Sequence, residues 1–123
     1  MYASLSTEYT PHPDSSVCHL AGVTSLSGEL KAFTSMLSLT VLVLSGATAN
    51  ITGDIKALAE LTNLTRLDLS GRGSVSRMTG HPMSLAGLHK LVDLNLLFCH
   101  KITKDHRAMV DLCAALPMCI VHY

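Results

Sequence analysis

Five residues late in the chain, Cys99, His100, His106, Cys113 and Cys119, belong to the types that hold metal ions. His106 and Cys113 are spaced to share one face of a helix. Structural zinc sites, however, favour short paired spacings such as C-x₂₋₄-C, and no two of the four cysteines lie that close. Buried thiols and surface histidines account for the cluster, and no metal is expected. Nucleophilic and phosphate chemistry leaves its own signatures: a G-x-S-x-G elbow, a phosphate-cradling glycine loop, an H-E-x-x-H pair. None occurs, so neither an enzyme nor a cofactor is expected. Asn50 in "NIT" and Asn63 in "NLT" are glycosylation acceptors only for a chain in the secretory pathway; a structural role, Asn50 bonding turn backbone, explains them more simply. What remains is recognition by ordinary polar and apolar groups. Arg66, Asp68, Asp93 and Asn95, with Val41 and Val43, are the candidates, provided the chain brings them to one surface.

Composition narrows the partner. The 123 residues make one domain, and 48% of them are hydrophobic against 15% charged, which excludes disorder. Net charge is zero, so there is no basic surface to displace the counterions of a nucleic acid and no polybasic membrane anchor. Stacking platforms for single strands are also unsupported, with no Trp, three Tyr and two Phe. The start, "MYASLSTEYTPHPDSS", has neither the basic region nor the apolar region of a signal peptide. The run "MLSLTVLVL" is far too short to span a bilayer. Reduced thiols and a cytoplasmic location are the expectation.

The elements follow from an internal repeat. Residues 26–46, "LSGELKAFTSMLSLTVLVLSG", return as residues 51–71, "ITGDIKALAELTNLTRLDLSG". Leu30 falls on Ile55, Phe33 on Leu58, Met36 on Leu61, Leu39 on Leu64, Leu42 on Leu67 and Leu44 on Leu69, with Gly28 on Gly53 and Gly46 on Gly71. A third copy, "MTGHPMSLAGLHKLVDLNL", places Gly80, Leu85, Leu88, Leu91, Leu94 and Leu96 on the same template. A fourth begins at "ITKDHRAMVDL" and then loses the pattern.

In "LTRLDL" and "LVDLNL" the final leucines alternate, the period of a half-buried strand. Before them, Leu58, Leu61 and Leu64 recur every third residue, which suits a helical or 3₁₀ turn packing inward. One unit is a strand, a bend, a loop and a helical turn. It cannot bury its apolar edge alone, so units must stack with their strands parallel.

These copies resemble the leucine-rich repeat family, L-x-x-L-x-x-L-x-L, over roughly residues 26–112. "NITGDI" and "MTGHP" look like the turn of plant receptor-type repeats, and "LNLLFCHKIT" is similar to the cysteine-containing repeats of F-box adaptors, with Cys99 at the ladder position. Such mixtures occur in protist and bacterial repeat proteins. The resemblance implies an α/β fold: a short solenoid with a parallel concave sheet, short helical turns on the convex side and a C-terminal helix. Residues 1–20 are expected to be an irregular leader, and residues 21–123 the repeat domain, with copies at about 26–50, 51–77 and 78–101 and a degenerate cap at 102–123. In that cap Met109, Val110, Leu112, Cys113 and Leu116 line one helix face, Pro117 stops the helix, and "MCIVHY" supplies a last strand.

Strand neighbours of the buried leucines point the other way. The concave face should therefore carry Val41, Val43 and Ser45, then Arg66, Asp68 and Ser70, then Asp93, Asn95 and Leu97. Arg66 either offers its charge to a partner or satisfies Asp68 and Asp93 in a surface ion pair worth little. Arg72 and Arg77, in the longer loop "GRGSVSRMTG", read as solvated. The family's use of the concave face implies a non-enzymatic module that binds a protein partner there. The alternative is a structural segment that self-associates or packs on further repeats through an open end near Leu26, Leu30 and Phe33.

Overall fold

A computed structural model describes residues 16–20, 28–45, 51–71 and 77–123. Leu26, Asn50 and Arg72, singled out in the sequence, lie outside the described residues.

The described residues form two parallel sheets and one α-helix. The larger sheet has the order β1-β3-β5-β7-β8, built from Val17–His19, Val41–Val43, Arg66–Asp68, Asp93–Asn95 and Ile120–His122. The smaller has the order β2-β4-β6, built from Gly28–Glu29, Ile51–Asp54 and Arg77–Thr79. The 3₁₀ turns Leu30–Phe33, Ile55–Leu58 and Pro82–Leu85 follow the smaller sheet's strands. The helix α1 is His106–Ala115.

The leucine pattern explains the path. The central residues of four large-sheet strands, Cys18, Leu42, Leu67 and Leu94, are buried in one core. The three-residue spacing ahead of each strand is a chain of tight turns. Met36 N–H bonds Phe33 O at 3.0 Å and Leu39 N–H bonds Met36 O at 3.0 Å; Leu61 bonds Leu58 and Leu64 bonds Leu61, both at 3.1 Å; Leu88 bonds Leu85 and Leu91 bonds Leu88, both at 3.0 Å. Each apolar residue thus closes a turn on the apolar residue before it, so these side chains point the same way. The interval from the first residue of each 3₁₀ turn to the next large-sheet strand is constant: Leu30 to Val41, Ile55 to Arg66, Pro82 to Asp93.

Four expectations are corrected. The leader is not irregular to residue 20: β1 pairs in parallel with β3, Val17 opposite Val41, and Thr40 N–H and its hydroxyl both bond Ser16 O. The segment expected to be loop between strand and turn makes the smaller sheet. There the Thr52 hydroxyl donates to Gly28 O at 3.3 Å and the Thr79 hydroxyl to Gly53 O at 3.4 Å. Leu30 and Phe33 are wholly buried, so they present no open apolar end. On α1, Ala108, Met109 and Leu112 face inward, with Leu116 buried just beyond the helix, while Val110 and Cys113 are exposed. At about 100° per residue the inward arc centres between Met109 and Leu112, and Val110 and Cys113 fall on the far side of Met109. The last strand, β8, forms as expected, parallel to β7 with Asp93 opposite Ile120.

Candidate functional site

The register of the larger sheet sets side chains in rows. Val17, Val41, Arg66, Asp93 and Ile120 stand opposite one another along the first row. His19, Val43, Asp68, Asn95 and His122 make the second. Adjacent strands are about 4.8 Å apart, so neighbours within a row touch. This crowding explains why outward-facing positions are not all open: Val43 is 2% and Asp68 8% exposed, Val41, Asp93 and Asn95 are half-buried, and Arg66 is exposed.

A cavity of about 410 Å³ opens on this face. Val43, Arg66, Asp68 and Asn95 line it, so four of the six candidate residues converge. Val41 and Asp93 do not line it. Ser45, Ser70 and Leu97 extend the lining beyond the strand ends. Two lining residues, His19 and Phe98, escape the sequence reading. His19 was legible in "VCHLAG", which parallels "VLVLSG" with Cys18 in place of a leucine. Phe98 follows Leu97 where the other copies read Ser-Gly.

Two of the polar candidates hold the backbone as well as facing the cavity. Asp68 Oδ1 accepts the Ser70 N–H at 3.0 Å, and Asn95 Oδ1 accepts the Leu97 N–H at 3.0 Å. Each bends the chain out of its strand in the manner of an Asx turn. The ion pair weighed for Arg66 and Asp93 does not form. Asp93 lies 3.5 Å from His122 Nε2 on β8 instead, and among the described residues Arg66 makes no ion pair. Phe98 is 51% exposed and has a φ of 63°, a left-handed backbone that a bulky residue rarely adopts. It is the third residue of a turn closed by Cys99 N–H on Leu96 O at 3.1 Å. Its ring meets His100 edge-on, centroids 6.4 Å apart.

The chain matches no protein-family model and no curated protein. His19, Ser45 and Asp68 share the cavity, and among the described residues no hydrogen bond joins the His19 ring to Ser45 or Asp68. Nor do three or more His, Cys, Asp or Glu side chains among the described residues group as a metal site. The cysteines form no disulfide. Buried Cys99 donates its S–H to Leu69 O at 3.0 Å. Burial pushes the Cys119 thiol pKa up, and the negative charge of Asp93 and then Cys113 pushes it further. Among the described residues no helix is long and apolar enough to cross a membrane.

Proposed function

We propose that the chain is a short leucine-rich-repeat solenoid of mixed receptor-like and cysteine-containing repeat types. It acts in the cytoplasm as a non-enzymatic module that binds a protein partner. Repeating turns and inward leucines support the architecture. The observation that carries the function is the cavity: His19, Val43, Arg66 and Asn95 reach it from four adjacent strands. A ligand there reads residues far apart in sequence on a rigid sheet. Exposed Leu97 and Phe98 beside polar groups give the mixture of apolar anchor and polar surround that interfaces use. The test is capture of partners from cell extract by the tagged chain and by an Arg66→Glu/Leu97→Asp variant. Both side chains are exposed, so the variant should keep its circular dichroism and melting temperature while losing its partners. A folded variant that captures the same proteins would refute the assignment to this face.

One observation favours a second reading, self-association or packing against further repeats. Among the described residues no strand pairs with the outer edge of β8, and Met118, Ile120 and Tyr123 there are 82%, 62% and 55% exposed. An open parallel edge with apolar side chains is a template for another strand.

A further inference from the structure

The protein-binding reading leaves the partner's chemistry open, and the cavity mouth narrows it. Two independent features meet there. The first is charge. Asp68 is 8% exposed and commits one carboxylate oxygen to its own backbone. Asp93 lies outside the cavity, within 4 Å of His122. Arg66 is exposed, lines the cavity and makes no ion pair among the described residues. Among the residues that line the cavity the exposed charge is therefore positive, a planar donor fork suited to a carboxylate, with half-exposed Asp93 opposite it on the next strand. The second is strain. A bulky residue with φ near +60° costs stability relative to glycine, and such outliers persist where surrounding structure holds them, often at functional sites. Phe98 carries this cost at φ 63° while 51% exposed, so about half of its surface gains nothing from burial. Leu97 beside it is 37% exposed. Together they form an apolar ledge on the cavity that holds Arg66.

We infer that the partner presents an extended or looped segment bearing an acidic side chain next to a large apolar one. The carboxylate meets the Arg66 guanidinium, and the apolar group packs on Phe98 and Leu97. This rests on the protein-binding reading of the same face. Phe98 is the anchor, kept at a backbone position where glycine would be more stable.

The experiment is selection of displayed random peptides on the immobilised full chain. Selected peptides are then synthesised and titrated against wild-type, Arg66→Gln, Phe98→Gly and Phe98→Asn chains, with urea unfolding of each. Asparagine tolerates the left-handed backbone, so it guards against a glycine-specific loss of order. The expected peptides carry Asp or Glu beside Leu, Phe or a similar residue. Their binding should fall by roughly thirtyfold or more in each variant, the size of an interface hot spot, while Phe98→Gly unfolds at higher urea than wild type. Peptides that depend on Arg66 and Phe98 but are basic or uncharged would overturn the partner chemistry and leave the protein-binding face standing. Peptides indifferent to all three variants, or no enriched peptide, would overturn both. A Phe98→Gly chain less stable than wild type would overturn the strain argument and the anchor role built on it.

Discussion

At Gly80 one added methyl group does more harm than at Gly53. The φ of Gly80 is +123°, and a Cβ there would lie 2.5 Å from Asp54 Oδ1 and 3.0 Å from Ile55 Cγ1. Asp54 cannot swing clear without loss, because the same oxygen accepts the Lys56 N–H at 2.8 Å and caps the 3₁₀ turn Ile55–Leu58. Gly53 has a similar φ of +120°, but its Cβ would meet Leu30 only at ordinary distances, 3.5 and 3.6 Å. Both substitutions incur the backbone cost of a positive φ, about 1–3 kcal/mol. Gly80→Ala should add about 1 kcal/mol for the cap. Urea unfolding of the two variants should show Gly80→Ala the less stable.

Cys119 allows a second test at this scale. Its folded pKa is raised, so its contribution to stability is complete while the thiol is protonated in both states, and is lost as pH rises from the ordinary thiol range through the folded value. Cys119→Ser should therefore flatten the alkaline fall in stability measured by denaturant midpoints. Alkylation followed by mass spectrometry should label exposed Cys113 ahead of Cys119 in the folded chain.

Among the elements, the 3₁₀ turns and the three middle strands of the larger sheet, β3, β5 and β7, were legible because each buries leucines at its own period. The smaller sheet was not. β2 is only Gly28–Glu29, β4 carries Gly53 in its midst, and neither shows alternating apolar residues. That sheet is held by backbone pairing and by threonine hydroxyls on glycine carbonyls, which periodicity cannot report. β1 was hidden because Cys18 stands where the other strands have leucine. The candidate face followed from alternation, and four of its six residues do line the cavity. The Asp93 contact did not follow, because its partner His122 arrives only after α1 and Pro117 return the chain to β7.

The helix supplies the prediction at this scale. Asp105 Oδ1 accepts the Ala108 N–H at 2.8 Å and caps α1, whose Met109 and Leu112 close the core beside the turn Pro82–Leu85. Asp105→Ala should cost about 1 kcal/mol, seen as a lower denaturant midpoint.

For the whole molecule, the two edges of the larger sheet are where a second copy would add a strand. β1 ends one edge and β8 the other, and every pairing between them is parallel. A strand added at β8 would continue the same register. If that edge drives association, light scattering over a wide concentration range should show growth in mass for the wild type and a constant monomer mass for Ile120→Lys. A wild-type chain monomeric at every concentration would remove the self-association reading.

The constant interval from each 3₁₀ turn to the following strand bears on how the gene can change length. Between Ile55 and Arg66 the leucines hold the core through unbroken three-residue turns, so one added codon there would rotate every later leucine off its site. The register along the larger sheet advances from Val41 to Arg66 and then from Arg66 to Asp93, a longer step by two residues that leaves the strands aligned. That extra length lies between β5 and Gly80. A two-residue insertion between β5 and Gly80 should therefore leave the denaturant midpoint nearly unchanged, and the same insertion between Ile55 and Arg66 should lower it.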